Sequence, residues 1–228
     1  SGHFSRHEGV ARYRGMDFDK TGEFVYFSSN EGGEYMRLRR YDLRRNEHAD
    51  VAAEDGDIVA AFFSGSGRYR TMVVRSRSNW RVLLHDEWEA RELALPQDSE
   101  GSPMAVRFSS SERELVFLRN EDRQPNDLYV WGLGDEWPRR LTATLNPAIS
   151  PESLVPSQLV RFPSFDGVML HAVLWQPAQT VEDTPAVVWV QSGPEGQITR
   201  RFNPMAQLLA NHGYRVLGVN QRGSEGFG

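Results

Sequence analysis

The fold class the sequence predicts is all-β propeller blades followed by an α/β unit, and three observations predict it. An aromatic-turn-strand pattern recurs at a fixed interval through residues 1–140. A stretch rich in Pro, Ser and Thr at 141–158 then breaks that pattern. Beyond it, residues 184–228 read strand, Gly/Pro loop, helix, strand and Gly-rich turn, which is a βαβ unit and implies a parallel strand pair.

Phe18, Phe63 and Phe108 stand 45 residues apart. Each opens a polar turn (with Gly22 and Gly67 at the same offset) and then an apolar-rich strand. A second strand is predicted in each copy, at Tyr35–Leu43, Trp80–Leu84 and Leu128–Leu133, and further short ones at Ile58–Phe62 and Met104–Phe108. Several short strands per repeat of about 45 residues are the mark of propeller blades; an antiparallel meander with coincidental spacing is the plainer alternative. Three blades do not close a ring, because propellers typically need about 4–8, and an open arc leaves strand edges unpaired. Either further blades precede Ser1 or a homo-oligomer completes the ring.

Residues 141–158 are expected to link the two parts. Leu159–Ser164 and Val168–Trp175 then flank Phe165-Asp166-Gly167, and Asp-Gly between alternating apolar runs signals a hairpin whose turn residues tolerate positive φ. The run Pro185–Val190 is short, apolar and bounded by turn residues, which suits a strand buried on both faces. Asn203 and Pro204 suit the N-cap and first position of a helix. Met205, Leu208, Leu209 and His212 fall on one helical face, Gly213 is placed to end the helix, and Arg215–Val219 reads as the second strand. The loop from Gln191 to Gly196 leaves the carboxyl end of the first strand, where α/β sheets bind ligands.

Composition is that of an ordinary globular chain: 228 residues, 39% hydrophobic, 25% charged and a net charge of −5. Nothing in that balance favours nucleic acid or an anionic membrane as partner. Lys20 is the sole lysine, the other basic residues being arginines interleaved with acids. The absence of cysteine excludes disulfides, thiolate metal ligands and a Cys nucleophile. No apolar run approaches the roughly 20 residues of a membrane span, and the first residues lack a signal-peptide core. The expected location is cytoplasmic.

The later residues carry a specific likeness. Val160-Arg161-Phe162 with Ser164-Phe165-Asp166-Gly167, Gly193-Pro194-Glu195-Gly196-Gln197, Phe202-Asn203-Pro204, Leu209-Ala210 with Gly213-Tyr214, and Asn220 through Gly228 resemble the start of the catalytic domain of the prolyl oligopeptidase family of serine peptidases. The nearest branch is the acylaminoacyl-peptidase and dipeptidyl-peptidase-like one. The earlier repeats are similar to that family's TolB-like propeller repeat in shape more than in letters. The resemblance implies partial β-propeller at 1–140, linker at 141–158, and the N-terminal part of an α/β-hydrolase domain at 159–228. It further implies hydrolysis of short peptides by a Ser-His-Asp acyl-enzyme mechanism, with neither cofactor nor metal.

Acyl transfer needs a nucleophile, a base, an orienting carboxylate and N–H donors for the oxyanion. In α/β-hydrolases one donor comes from the loop after the third strand, and the resemblance puts the backbone N–H of Gly193 there, with Gln191 and Ser192 in the same oxyanion loop. The plainer reading of the loop is a tight turn. Gln191-Ser192 stands where many relatives have His-Gly. No G-x-S-x-G occurs in the sequence; Gly65-Ser66-Gly67 lies in a repeat turn. None of Ser192, Ser224, His171 or His212 sits where a triad member belongs, so the chain is expected to be inactive alone. Weaker groupings are His3 with His7, the Arg37–Arg45 run (expected to be a solvated strand edge), Ser64–Gly67, and the blade-loop acids Glu31, Glu34, Asp122 and Asp127, which are candidates to recognise a substrate amine. A non-catalytic propeller binding module and an esterase on the same scaffold are the alternative functions.

Overall fold

The structure is a computed structural model that describes residues 11–77, 79–95, 102–191 and 196–227. Their strands form four four-stranded sheets. The first comprises β1 (Tyr13–Phe18), β2 (Phe24–Ser29), β3 (Arg37–Asp42) and β4 (Glu47–Ala52). The second comprises β5 (Asp57–Phe63), β6 (Tyr69–Ser76), β7 (Asn79–Asp86) and β8 (Arg91–Leu93). The third comprises β9 (Ser102–Phe108), β10 (Glu114–Glu121), β11 (Gln124–Gly132) and β12 (Arg139–Arg140). Each is an antiparallel meander in sequence order, the construction of a propeller blade.

The 45-residue period has a local cause in the turn between the first two strands of each blade. Gly22 donates to the carbonyl of Asp19 at 3.1 Å, Gly67 to that of Ser64 at 2.9 Å, and Glu112 to that of Ser109 at 3.0 Å. The side chains of Asp19, Ser64 and Ser109 then accept from the N–H groups of Phe24, Tyr69 and Glu114. The last turn residue has φ of +71° at Gly22 and +79° at Gly67, a region open to glycine without steric cost. The third copy holds the same conformation without glycine, at φ +57° on Glu112.

Blades pack through alternating faces. On β6, Met72 and Val74 join Leu38, Ile58 and Ala61 between the first and second blades. Val73 points the other way and joins Val82, Leu84, Val106, Leu115, Phe117, Tyr129 and Trp131 between the second and third. That is the period-two alternation of a strand covered on both sides, and each fully buried aliphatic side chain contributes about 1.5–3 kcal/mol. The repeat aromatics pack on the preceding blade, Phe63 on Tyr26 with ring centroids 4.6 Å apart and Phe108 on Tyr69 at 5.4 Å. Phe18, which has no earlier blade beside it among the described residues, is 59% exposed.

The arginine run at 37–45 is not a strand edge. It forms β3, which is hydrogen-bonded on both sides, by β2 and β4. Its charges are met locally: Arg37 and Arg39 by Asp50, Arg39 also by Glu31, and Arg44 by Glu23.

The fourth sheet runs in the order β13 (Ser157–Pro163), β14 (Met169–Trp175), β16 (Arg215–Asn220), β15 (Ala186–Val190). β15 and β16 are parallel and the other pairs antiparallel, with α1 (Pro204–Asn211) making the crossover. Asn203 caps α1 by accepting from Met205 and Ala206 at 3.0 Å each. In the β13–β14 turn, Gly167 has φ +83° while Asp166 keeps negative φ; the Asp166 carboxylate accepts from the N–H of Val168 instead.

Two expectations change here. β15 is covered on one face only, since it is the edge strand and Val188 and Val190 are 61% and 73% exposed. The helix is also turned from the expected face: Met205 and Leu208 are half exposed, while Ala206, Gln207 and Ala210 are buried. Two alanines let α1 approach the sheet closely, against Val155, Val173, Trp175 and Val216. Gln207 is accommodated because its amide exchanges hydrogen bonds with both backbone groups of Val155, at 2.9 and 2.7 Å. The segment between the two parts is accordingly packed at its end, with Leu154 and Val155 buried after a 3₁₀ turn at Pro151–Ser153.

Candidate functional site

β15 and β16 run parallel, so Gln191 after the first and Asn220–Gly223 after the second lie at one end of the sheet. Ser192 and Gly193 lie outside the described residues, but both flanks of their loop are defined. Gln191 lays its side-chain amide against Gly196, where a Cβ would come within 2.5 Å of Nε2. That nitrogen is buried without a partner among the described residues. The next turn of chain is held by Asn220, which accepts from the N–H of Ile198 at 2.7 Å and donates to its carbonyl at 2.9 Å. A side-chain amide standing in for a strand partner fixes the loop exit to the end of β16.

The first two blades close over this end of the sheet. Glu225 is 8% exposed and forms ion pairs with both Arg14 of β1 and Arg75 of β6. Burial, then the neighbouring charge of Arg14, push Arg75 down to about 10, below the ordinary guanidinium range, and its guanidinium also lies 4.4 Å from the centre of the Trp80 ring. Asp57 is buried as well: one oxygen accepts from the N–H of Met36 at 2.9 Å and the other from the N–H of Gly226 at 2.8 Å. The third blade grips the opposite flank. Asn120 accepts from the N–H of Phe202 at 2.6 Å, and Asp122 binds the N–H and hydroxyl of Ser157 and the guanidinium of Arg200.

A cleft of about 410 Å³ opens at the same sheet end. Arg161 and His171 are cross-strand partners on β13 and β14, and His171 is in turn the partner of Asn220 on β16. Phe227 lies against the His171 ring at 5.1 Å between centroids. Arg77, from the turn after β6, lines the cleft with Arg161 and Arg222. Burial, with the charges of Arg77 and Arg161, holds His171 below its ordinary value of 6.5, so it is a neutral imidazole at pH 7.

The other candidate residues are placed as follows. His171 belongs to the cleft. His212 caps α1, its Nδ1 2.8 Å from the carbonyl oxygen of Leu208. Ser224 is buried, and its hydroxyl has no partner among the described residues. Ser64–Gly67 is the β5–β6 turn. Asp127 is fully buried and holds Arg140, Thr142 and Thr144. Glu31 pairs with Arg39, and Glu34 is exposed. Asp122 and Asp127 are thus structural acids. His3 and His7 lie outside the described residues. Among the described residues no group of three His, Cys, Asp or Glu side chains could hold a metal ion, and no helix is long and apolar enough to cross a membrane. Sequence reasoning missed Asp57, Gln207 and Glu225, each acting on a residue far along the chain. The one signal was Glu225 standing inside the Arg-Gly-Ser-Glu-Gly stretch.

Antiparallel meanders of blade form, clamped over the end of a sheet with a loop-bearing parallel pair, define the class as a propeller-bearing protein of the kind found in multidomain peptidases. The relatives are peptidases. An uncharacterized peptidase YuxL of Bacillus subtilis is 30% identical over 125 residues, covering 53% of this chain and 19% of that protein. Dipeptidyl aminopeptidase BIII of Pseudoxanthomonas mexicana is 26% identical over 230 residues, covering 91% and 31%. A puromycin-hydrolyzing peptidase of Mycobacterium tuberculosis shares the fold with a TM-score of 0.81 at 16% identity, over 96% of this chain and 35% of that one. No protein-family model matches the chain. These homologues and structural neighbours are peptidases of the prolyl oligopeptidase family, and the chain spans about a third or less of their length.

Proposed function

We propose that the chain is the part of a serine peptidase in which propeller blades meet the beginning of an α/β-hydrolase domain, and that the parent protein cleaves short peptides through a Ser-His-Asp acyl-enzyme. One observation carries this: the likeness to peptidases runs through both the blades and the C-terminal unit, in proteins about three times as long. The edge position of β15 among the described residues suits a sheet that continues into further strands, because an unpaired strand edge is a liability, and its exposed Val188 and Val190 suit a covering layer on that face. In this reading residues 1–140 are a partial propeller, 141–158 the linker and 159–228 the first part of the hydrolase domain.

Within it, the loop Gln191-Ser192-Gly193 supplies an oxyanion donor through the N–H of Gly193, and Gln191 and Asn220 brace the loop from both sides. The nucleophile, acid and base belong to other segments, consistent with the absence of G-x-S-x-G from these residues. Neither cofactor nor metal takes part. The blades stand over the sheet end and restrict access to small substrates, and a cytoplasmic location and homo-oligomerisation accord with the reading.

Fluorophosphonate labelling tests it. The 228-residue chain stays unlabelled and turns over neither peptide nor ester. The longer protein labels at a serine in a G-x-S-x-G turn, and replacing Gly193 by Pro there, which removes the N–H, lowers kcat by about 10²–10³. Labelling of the short chain, or full activity in the Gly193→Pro protein, would overturn the assignment.

A further inference from the structure

We propose that the cleft between the start of β14, the end of β16 and the turn after β6 binds the C-terminal carboxylate of a short peptide, with Arg77 and Arg161 as the two anion-binding groups. For the identity of the ligand this rests on the peptidase reading; the anion site itself stands on its own geometry.

The charge of the cleft is unbalanced. Three guanidiniums line it, from Arg77, Arg161 and Arg222. Arg222 is neutralised by Asp166 at 2.6 Å and lies over the Phe165 ring. Neither Arg77 nor Arg161 has a carboxylate partner among the described residues, in a chain whose net charge is −5. They reach the cleft from different parts of the fold, Arg161 from β13 and Arg77 from the second blade. Both line the same cleft as the His171 imidazole and, with burial as the larger cause, hold it below its ordinary value. Two like charges, both on exposed side chains, facing one concave surface raise the local concentration of anions.

The chemistry of the walls selects the kind of anion. Met169, Leu170 and Phe227 give the cleft apolar surface beside its cations. A bare inorganic anion leaves that surface unused; a peptide end uses it, because its side chain lies against Met169 and Phe227 while its carboxylate meets the guanidiniums in charge-assisted hydrogen bonds. Neutral His171 adds one N–H donor. The volume of about 410 Å³ is at the small end of ligand sites, roughly 300–1,000 Å³, which suits the end of a peptide. The cleft also opens at the sheet end where Gln191 leaves β15, so a peptide anchored here by its terminus extends along that end of the sheet.

Calorimetric titration tests the proposal, using N-acetyl-dialanine, its C-terminal amide and inorganic phosphate as probes. The free acid is expected to bind about tenfold or more tightly than the amide, to weaken as salt is raised from low to physiological strength, and to outcompete phosphate. Arg161→Ala and Arg77→Ala each reduce the acid-over-amide preference, and the double variant abolishes it; Arg161→Lys retains part of it, which separates loss of charge from loss of fold. Equal binding of acid and amide, or a preference that survives the double substitution, overturns the site. Tight phosphate binding without peptide binding overturns the peptide assignment. A protein that binds the free acid as described but never labels with fluorophosphonate, even in its longer form, sinks the peptidase reading and leaves the carboxylate site standing.

Discussion

Asp122 and Ser157 join the third blade to the first strand of the following sheet: the Asp122 carboxylate accepts the Ser157 N–H at 2.9 Å and the Ser157 hydroxyl at 2.5 Å. Arg200 reaches the same carboxylate at 3.0 Å, and Gln207 of α1 donates to the Asp122 carbonyl at 3.1 Å. One turn of a blade thereby holds a strand start, a loop and a helix. Such a contact ties the third blade to the sheet that follows it.

Replacing Asp122 by Ala leaves the Ser157 N–H and hydroxyl and the Arg200 guanidinium without their acceptor. Orphaned donors of this kind cost about 1–3 kcal/mol. The expected outcome is a destabilisation of about 2 kcal/mol together with earlier proteolytic cutting in residues 141–156, read by calorimetry and limited proteolysis. Glu34→Ala, at an exposed acid, is expected to leave both unchanged. A single unfolding transition at the parent temperature in Asp122→Ala would show that the blades and the sheet are held together by other contacts.

At the opposite flank the decisive group is Glu225, because it faces two guanidiniums from two different strands. Arg75 is already held down to about 10, first by burial and then by Arg14, with Asp57 opposing them, and it is paired directly with Glu225. Glu225→Gln removes that acid while keeping the shape. Breaking a buried ion pair from one side costs about 3–5 kcal/mol, and residues 221–227 are expected to lose protection from hydrogen exchange. Arg14→Ala is milder, since Glu225 keeps Arg75. Equal stability losses in the two variants would mean that Arg14, rather than the Glu225–Arg75 pair, anchors the segment.

The period of the blades was legible because one turn, with one hydrogen-bond pattern, is repeated at residues 19–22, 64–67 and 109–112, and local chemistry leaves a local trace. The capping of α1 by Asn203 was legible for the same reason. The buried face of α1 was not: Met205 and Leu208 are more apolar than Ala206 and Gln207, but small side chains and one satisfied amide decide how closely the helix approaches the sheet. Nor was the exposure of β15 legible, since Val188 and Val190 read as buried wherever sheet neighbours on both faces are assumed. Arg77 and Arg161 stand 84 positions apart in the sequence, and nothing in their own surroundings announces that a blade turn and a sheet strand bring them to one cleft.

The third repeat offers a pH-dependent test of how blades are stapled together. Glu112 occupies the position that is glycine in the other two turns, at φ +57°, and left-handed backbone costs a residue with a Cβ about 1–2 kcal/mol. Its carboxylate reaches the preceding blade, accepting from the N–H and the hydroxyl of Ser66. Burial raises the Glu112 carboxyl, but the bonds from Ser66 and Ser64 and the charge of Lys20 outweigh it, leaving the group below its ordinary 4.5. A carboxylate depressed on folding stabilises the native state above its unfolded value and loses that contribution as pH falls through its folded one. Stability is therefore expected to be full at pH 7 and to decline below about pH 4.5. Glu112→Gln keeps the backbone strain, loses about 1 kcal/mol at pH 7 and shows a shallower acid limb than the parent. Glu112→Gly relieves the strain of about 1–2 kcal/mol while also losing the staple of about 1 kcal/mol, and lands at or slightly above the parent at pH 7. Urea midpoints measured from pH 7 to pH 3 separate the cases; an acid limb unchanged in Glu112→Gln would show that the Ser66 contact contributes nothing to holding the second and third blades together.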